Sequence, residues 1–338
     1  MKVFFIGTLP LASIGGDSME AHVVAGLRSL AAAVEYFPFV SSPLGPRLNR
    51  VLDHAMTDFH WIRSTPAERL MLKKLAAFDP DLVLVLLGNY TSPATIVKVR
   101  ELTKAPIACW CQDHMGSMGR QYIIGAKYDY VFAKDQAMVD RLRRFTGTKQ
   151  VHYLPEACNP EIHRPLAPTD DDRLRFGCDV TTAATLYYYR SEILEALAGI
   201  DMRIWGTLPR YYDGPLRGFA TGRQVFGRDK AACFNCAKIV INSLYPLEFD
   251  GLNARAFEVA GCGGFQLITH CDAVARHFEP GKDIETFRDL AELRNKVRYY
   301  LEHDDQRRAI AEAGRLRAHR EHTYRNRLQQ MLHMMKLA

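Results

Sequence analysis

The sequence predicts an α/β protein built from two doubly wound, Rossmann-like parallel-sheet domains with a cleft between them. The chain has 338 residues, a length that favours two domains over one. Strand-sized apolar runs alternate with helical segments in both halves, and one proline-rich segment, residues 156–172, interrupts the alternation. Strands that are apolar on both faces and are separated by helices are typical of a parallel sheet covered on both sides.

The first domain is predicted over residues 1–155. "KVFFIG" is a strand that ends in glycine, and "PDLVLVLLG" is a strand with two apolar faces. The other predicted strands are "VEYFPFV", "PIACWC", "YDYVFA" and "VHYLP". The predicted helices are "MEAHVVAGLRSLAAA", "PAERLMLKKLAAF", a short segment from Pro93, and "DQAMVDRLRRF".

The second domain is predicted over residues 173–320, after an exposed linker at 156–172 that ends in Asp170, Asp171 and Asp172. Its predicted strands are "RLRFGCDV", "DMRIWG", "KIVINS" and "FQLIT", with helices at "RSEILEALAGI" and "RDKAACFNCA". The chain then becomes mostly helical. The amphipathic helix at 321–338 is expected to pack back on the first domain, or alternatively to lie on an anionic membrane surface.

Composition indicates a soluble globular protein, with 48% hydrophobic and 24% charged residues. A net charge of +6 favours anionic ligands such as phosphates but is too small for a nucleic-acid-binding tail. Without a secretory signal or a run of membrane-spanning length, the chain is expected in the cytoplasm with reduced thiols. Cys233 and Cys236 form C-x-x-C inside a predicted helix and are interpreted as packed thiols rather than as a zinc or redox site.

The segment "FDGLNARAFEVAGCGGFQLITH" combines a turn, a short helix and a strand. Asn253 suits the N-cap of a helix over Ala254 to Cys262, which Gly263 would terminate. Arg255 and Glu258 lie on one side of that helix. The free N–H groups of a helix N-terminus suit a diphosphate, and a glutamate one turn deeper suits ribose hydroxyls. A surface Arg–Glu pair is the alternative, and the residues alone leave both readings open.

Several segments together resemble a glycosyltransferase of the GT-B fold, and most closely the spore-maturation (CgeB-like) group. They are "VHYLPEACNPEIHRP", "DGLNARAFEVAGCGGFQLIT", "FEPGKDIETFRDLAELRNKVRYYLEHDDQRRAIAEAG" and "HTYRNRLQQML". The resemblance implies that Glu258 binds the donor ribose and that the loop before it surrounds the sugar diphosphate. That loop consists of Asp250, Gly251, Leu252 and Asn253. Arg255 is characteristic of the subgroup, and it either holds the ligand or holds Glu258.

One feature departs from the superfamily pattern. The superfamily often has two glutamates eight residues apart in this block, whereas Glu248 lies ten residues before Glu258. Glu248 is therefore interpreted as a turn residue.

Three further residues are donor-site candidates by the same resemblance. Arg190, after "LYYY", would neutralise the donor diphosphate through its guanidinium fork, or else is a solvated helix arginine. Gly206, after Trp205, would let the nucleotide base approach the backbone, while Trp205 itself is equally a core residue. Gly16, in "IGGDS", lies in a loop that would face the diphosphate, although the motif is not G-x-G-x-x-G.

The candidate catalytic bases are Asp113 and His114, which follow the strand "PIACWC". Either could take the proton of an acceptor hydroxyl. The alternatives are a helix N-cap for Asp113 and an exposed loop position for His114. Asp17 and Glu20 are the reserve candidates.

No metal is predicted. "DPD" at Asp79 to Asp81 is interpreted as a turn between a helix and a strand, not as a metal–diphosphate clamp. A basic run near the C-terminus is interpreted as a solvated helix face, with a patch for an anionic acceptor or membrane as the alternative. It comprises Arg315, Arg317, His319, Arg320, Arg325 and Arg327.

These observations predict a cytoplasmic, metal-independent hexosyltransferase in glycan biosynthesis. It would use a nucleotide-diphosphate sugar, need no cofactor, and act on a glycan, lipid-linked or protein hydroxyl, with peripheral contact to the inner membrane face as an option. No nucleic-acid partner is expected. The alternatives are a nucleotide-sugar epimerase of the same fold and a non-catalytic spore or surface-assembly protein that retains the fold.

Overall fold

The computed structural model describes residues 1–39, 64–87, 91–114 and 122–337. The chain forms two compact units. Unit 1 comprises Met1–Pro155 and Tyr324–Ala338, and unit 2 comprises Glu156–Thr323. Each unit contains one parallel sheet, which confirms the predicted class of two parallel-sheet α/β domains. The division into an acceptor-side and a nucleotide-side domain stays a prediction.

Among the described residues, the sheet of unit 1 has six parallel strands in the order β2-β1-β3-β4-β5-β6. They are β1 (Lys2–Gly7), β2 (Ala33–Pro38), β3 (Leu82–Leu86), β4 (Ile107–Cys111), β5 (Tyr130–Ala133) and β6 (Val151–Tyr153). Every residue of β3 and β4 is buried, as their apolar sequences predict. Two predicted strands were extended to Val40 and Gly88, which lie outside the described residues.

Four helices of unit 1 begin at side-chain caps. Ser18, Thr65, Ser92 and Asp135 each accept a hydrogen bond from a backbone N–H of the first turn that follows. The helices are α1 (Met19–Ser29), α2 (Pro66–Phe78), α3 (Pro93–Leu102), α4 (Tyr122–Gly125), α5 (Gln136–Arg141) with a π-helical turn at Leu142–Thr146, and the last helix of the chain, α13 (Tyr324–Met334).

Helix α13 packs against α1 inside unit 1. Gly26 allows this approach, because a Cβ there would lie 2.6 Å from Cδ1 of Leu328. The ring of Tyr324 lies 5.2 Å from that of His22. The apolar side of α13 is therefore buried in unit 1. In the described ranges, no helix combines the length and apolarity needed to cross a bilayer.

The sheet of unit 2 has five parallel strands in the order β11-β10-β9-β7-β8. They are β7 (Cys178–Ala183), β8 (Met202–Trp205), β9 (Ala237–Asn242), β10 (Gln266–Thr269) and β11 (Glu285–Phe287). Alternate residues of β9 pack on opposite faces, with Ile239 and Ile241 in one cluster and Val240 in the other. Both faces are thus covered, as the continuous apolar run of β9 predicts.

Seven helices of unit 2 are described, and the second domain is as helical near its end as predicted. They are α6 (Asp170–Phe176), α7 (Tyr188–Glu195), α8 (Gly227–Cys236), α9 (Ala254–Cys262), α10 (Asp272–His277), α11 (Leu290–Glu302) and α12 (Asp304–Glu321). Cys233 and Cys236 lie in the last turn of α8. Cys233 is buried in the core, and burial raises the pKa of its thiol.

The interpretation of Asp170, Asp171 and Asp172 as linker is wrong, because they form the first turn of α6. Thr169 caps this helix in a reciprocal capping box with Asp172, and aspartates favour a helix N-terminus. Asp172 is buried and is held by Arg228 through two hydrogen bonds. The prediction of a strand from Arg173 is also wrong, since β7 begins at Cys178.

Candidate functional site

The strand order of unit 2 creates a crevice at the carboxyl ends of β7 and β9. From β7 the chain goes to β8 on one side of the sheet and then crosses to β9 on the other. In open α/β sheets, ligands bind at such a reversal point, outside the carboxyl ends of the strands. The segments that follow β7 and β9 carry Arg190 and the predicted donor loop before α9, respectively.

Helix α9 has the predicted bounds, Ala254–Cys262. Oδ1 of Asn253 accepts a hydrogen bond from the Ala256 N–H at 3.1 Å, which makes Asn253 the N-cap. Gly263, with φ of 76°, ends the helix in the left-handed conformation. The apolar side chains of Phe257 and Val259 are fully buried and anchor the helix. Its N-terminus is thereby fixed at the crevice.

Arg255 ties β7 to β9. Its Nε donates to the Ala183 carbonyl at 2.9 Å, and its Nη1 donates to Oδ1 of Asn242 at 3.2 Å. Ala183 ends β7 and Asn242 ends β9. Arg255 thus has a structural task that the sequence did not indicate. Its predicted roles, holding the ligand or holding Glu258, stay predictions.

Arg190 lies beside Arg255 in the same crevice. Its Nη1 donates to the Thr185 carbonyl at 2.8 Å, and its guanidinium lies 5.6 Å from the ring centre of Tyr187. Its Nε is buried and has no hydrogen-bond partner in the part of the chain that the structure describes. Arg190 is therefore held by the loop after β7, with an N–H donor left over.

The two guanidinium groups disfavour each other's charge. Loss of hydration and the nearby charge of Arg190 lower the pKa of Arg255 to about 10, although Glu258 and Glu248 oppose this shift. Burial also lowers the pKa of Arg190, whereas the charges of Glu248 and Tyr187 raise it. The crevice thus holds two half-buried guanidinium groups, and the carboxylates of Glu258, Glu248 and Glu156 act on Arg255.

Glu258 pairs with Lys230 of α8, and its charge also acts on Arg255. Its Oε1 accepts a hydrogen bond from Nζ of Lys230 at 3.0 Å and lies 3.7 Å from Nε2 of His163. Both partners are buried. A ribose bound here would meet a carboxylate that is already oriented by a lysine, a contact that the sequence did not predict.

The donor loop is held by α10. Asp250 accepts hydrogen bonds from Arg276 through Oδ1 at 2.5 Å and through its carbonyl at 3.0 Å. Leu252 is fully buried in the core, so its backbone, not its side chain, is the part that a ligand could contact. Sγ of Cys271 lies 3.8 Å from the Gly251 carbonyl. Glu248 lies in a turn, where its Oε2 accepts from the Tyr245 N–H.

The close approach expected at Gly206 is made by the protein itself. A Cβ on Gly206 would lie 1.9 Å from the Ala184 carbonyl oxygen, so this position requires glycine for packing. Trp205 is buried, and its ring lies 4.9 Å from that of Phe176. The indole N–H of Trp205 is buried with no partner within the described ranges.

The loop after β1 in unit 1 contains Gly16. Ile14, Gly15 and Gly16 have consecutive positive φ values of 48°, 67° and 75°. The glycines favour this conformation, whereas the β-branched Ile14 is strained in it. The reserve candidates Glu20 and Asp17 have local partners. Glu20 accepts from the N–H groups of Thr8 and Leu9 and from the Thr8 hydroxyl, and Asp17 bonds to His22.

Asp113 and His114 follow β4 in unit 1. The Asp113 side chain is exposed and accepts a hydrogen bond from the His114 N–H at 2.9 Å. The residue before them, Gln112, is buried, and neither its Oε1 nor its Nε2 has a hydrogen-bond partner among the described residues. Residues 115–121, which would decide whether Asp113 caps a helix, lie outside the described residues.

The "DPD" motif and the C-terminal basic run, interpreted from the sequence as a turn and a solvated helix face, have partners within the protein. Asp79 caps the end of α2, and Oδ2 of Asp81 accepts from the Lys2 N–H at 2.6 Å. On α12, Arg315 pairs with Glu312, Arg317 with Asp283 and Glu321, and Arg320 with Glu321. Arg327 on α13 is buried. Much of the basic run is thus neutralised by carboxylates of unit 2.

Two parallel-sheet α/β units are the architecture of the GT-B fold. A family model described as "Glycosyl transferase-like" matches residues 190–333, which include Arg190 and α9. No curated protein matches the sequence.

Solved structures share the fold over the whole chain. HepE from Anabaena in complex with UDP-glucose has a TM-score of 0.69 at 12% identity and covers 100% of both chains. Sucrose-phosphate synthase from Thermosynechococcus elongatus has a TM-score of 0.67 at 14% identity, covering 99% of this chain and 98% of its own. A UDP-forming trehalose-phosphate synthase from Burkholderia vietnamiensis has a TM-score of 0.66 at 13% identity, covering 99% and 100%. The chain therefore has the GT-B fold, while the likeness to the CgeB-like group stays a prediction.

Proposed function

We propose that this protein is a glycosyltransferase that moves a hexosyl group from a nucleotide-diphosphate sugar to an acceptor hydroxyl. The observation that carries the proposal is the pair of half-buried arginines, Arg190 and Arg255, at the β7/β9 crevice beside the N-terminus of α9. The match of residues 190–333 to a glycosyltransferase-like family supports the same reaction class. Structures of similar fold, named as UDP and UDP-glucose complexes, point to a uridine nucleotide as the first donor to try.

The physical argument rests on charge. Two guanidinium groups that lose hydration side by side are costly, and a bound anion lowers that cost. A diphosphate supplies that anion, and it can accept from the unpaired Nε–H of Arg190 and from the free N–H groups at the start of α9. Glu258, oriented by Lys230, is the proposed acceptor for the ribose hydroxyls.

The proposed reaction breaks one bond and forms another. The acceptor oxygen attacks the anomeric carbon of the donor sugar, and the bond between that carbon and the diphosphate oxygen breaks. The leaving diphosphate keeps the electron pair, and Arg190 stabilises its charge. Asp113 or His114 takes the proton of the acceptor hydroxyl. Because the arginines and the helix N-terminus supply the positive charge, we infer that the transfer needs no divalent cation.

The acceptor is proposed to be a hydroxyl of a glycan, a lipid-linked sugar or a protein, with the reaction in the cytoplasm and optional peripheral contact to the inner membrane face. These assignments follow from the sequence resemblance. They can be separated by offering each acceptor class to the enzyme with a radiolabelled donor and identifying which fraction acquires the label.

Calorimetric titration with UDP, GDP and dTDP tests the proposal directly. We expect one of them to bind with a Kd on the order of 1 µM to 1 mM, the range usual for enzyme substrates. A correctly folded sample that binds none of the three would overturn the proposal.

Product analysis then separates transfer from the alternatives. A transferase releases nucleoside diphosphate slowly from its sugar donor without acceptor and faster with it. An epimerase would change the donor sugar with no acceptor present, and a non-catalytic protein would leave the donor intact.

A further inference from the structure

The last residue of β9, Asn242, is fully buried at the base of the crevice and belongs to a network of side-chain amides. Its Nδ2 donates to Oδ1 of Asn253 at 3.1 Å and to Oε1 of Gln266 at 3.3 Å. Its Oδ1 accepts from Nδ2 of Asn253 at 2.9 Å and from Nη1 of Arg255 at 3.2 Å. All the hydrogen-bonding capacity used by this amide goes to groups that shape the proposed donor site.

Groups outside the three amides determine which atom donates and which accepts in every bond of this network. The guanidinium of Arg255 can only donate, so the oxygen of Asn242 must face it. The Ala256 N–H can only donate, so the oxygen of Asn253 must face that group. Gln266 donates its Nε2 to the Ala256 carbonyl at 2.7 Å, which leaves its oxygen toward Asn242. The three amides therefore have one consistent arrangement, and Asn242 joins the other two.

We propose that Asn242 is a positioning residue for the donor site, an inference that rests on the proposed function. It connects the N-cap of α9 to Arg255, which in turn holds the end of β7 through Ala183. One buried amide thus positions both the start of α9 and, through Arg255, the end of β7. Asn242 keeps the helix N–H groups and Arg255 where a diphosphate would bind, before the nucleotide arrives.

Two substitutions separate this role from simple packing. Asn242→Leu keeps the approximate volume but removes every hydrogen bond. Asn242→Asp keeps the size and the acceptor for Arg255, but it places a carboxylate against the oxygens of Asn253 and Gln266. We expect both variants to weaken UDP binding by about tenfold or more, because each leaves buried polar groups unpaired.

Thr181→Val is the matched control. Thr181 is a fully buried residue of β7 whose hydroxyl donates to the Arg203 carbonyl at 2.8 Å, away from the amide network. This variant also loses a buried hydrogen bond in the same sheet. We expect it to lower the thermal unfolding midpoint while the Kd for UDP stays within about twofold of the wild type.

A double-mutant cycle with Arg255→Met supplies the readout that a purely structural role would not move. If Asn242 acts through Arg255 and the α9 cap, the effect of Asn242→Leu on the Kd should shrink by about threefold or more in the Arg255→Met background. Additive effects, or a Kd unchanged in both folded Asn242 variants while the wild type binds UDP, would overturn the inference and leave the proposed function standing. A wild-type protein that binds no nucleotide would overturn both.

Discussion

The end of β9 in unit 2 and the end of β4 in unit 1 differ in how their polar groups are held. In unit 2, Asn242, Asn253 and Arg255 bond to one another and to backbone groups, so that the start of α9 is fixed. In unit 1, Gln112 is buried with no partner in the described ranges, and Asp113 extends into solvent. The end of β9 is arranged by its own protein bonds, whereas the end of β4 presents amide atoms that the described chain does not satisfy.

This difference fits the proposed division of labour, with the donor in unit 2 and the acceptor in unit 1. A nucleotide diphosphate is the same in every cycle of a given enzyme, so a preformed cationic crevice costs least to bind it. An acceptor must bring its hydroxyl to a base, and a carboxylate can remain solvated until the acceptor arrives. The comparison thus predicts that substitutions in unit 2 change donor binding, and that substitutions at the edge of unit 1 change turnover or acceptor use.

The largest effect is expected from the candidate bases. Asp113→Asn and His114→Gln each remove a proton acceptor while keeping a similar size. The variant that lacks the true base should lose about 10²–10⁴-fold in kcat, because general-base catalysis contributes that much. Steady-state kinetics with saturating donor and acceptor measure the loss.

The Kd for UDP serves as the control for these variants and should not change. If both variants keep kcat within a few fold of the wild type, neither residue is the base. Asp17 and Glu20 would then be tested next, although their hydrogen bonds to His22 and to Thr8 and Leu9 favour structural roles for them.

The next largest effect concerns the cationic crevice. Arg190→Ala should lower kcat/KM about 10²–10³-fold, since it removes a donor that stabilises the leaving diphosphate. Arg190→Lys should recover only part of the loss, because an ammonium group keeps the charge but not the planar fork.

Arg308→Ala is the matched control for Arg190. Arg308 lies on α12 of unit 2, has a side chain that is 78% exposed, and pairs with Asp304. It should leave kcat/KM unchanged. Equal losses in the two alanine variants would mean that net charge, not the crevice, determines binding, and the comparison between the two edges would fail.

The sequence was most informative where its signals are local. Asn253 and Gly263 define the ends of α9 within a few residues, and the predicted bounds are correct. It was least informative where partners are distant in sequence. Arg255 bonds to Ala183, 72 residues away, and Glu258 bonds to Lys230, 28 residues away. No periodicity or cap encodes such pairs, because they depend on which strands become neighbours.

Other errors have similar physical causes. The prolines and aspartates before β7 were predicted to be a linker. The aspartates instead form the first turn of a helix, because Thr169 caps it. At Gly206, the sequence did not indicate that the Ala184 carbonyl packs against this position and requires glycine there. Polar residues at the ends of apolar strands, such as Asn242 and Gln266, were the signal available for the amide network. A buried amide must find partners, and the strand order supplies them here.

A smaller effect is expected at the proposed ribose contact. Glu258→Ala should weaken UDP binding by about tenfold, whereas binding of 2′,3′-dideoxy-UDP should change little, because the lost carboxylate would have accepted from the two ribose hydroxyls. Lys230→Met is the companion variant, since it keeps the carboxylate but removes the lysine 3.0 Å away. An unchanged ratio of the two nucleotide affinities in Glu258→Ala would remove Glu258 from the ribose role.

The smallest effect, and the sharpest contrast with Asn242, is expected from Gln112→Leu. Asn242→Leu breaks existing bonds and should cost about 1–3 kcal/mol of stability. Gln112 has no partner for either amide atom in the described chain, so leucine should keep its packing and relieve a buried polar group. We therefore expect a thermal unfolding midpoint that is unchanged or higher by about 2–4 °C, with an unchanged Kd for UDP and a raised acceptor KM. A midpoint lowered as much as in Asn242→Leu would show that the amide of Gln112 is as well satisfied as that of Asn242, and the distinction between the two edges would disappear.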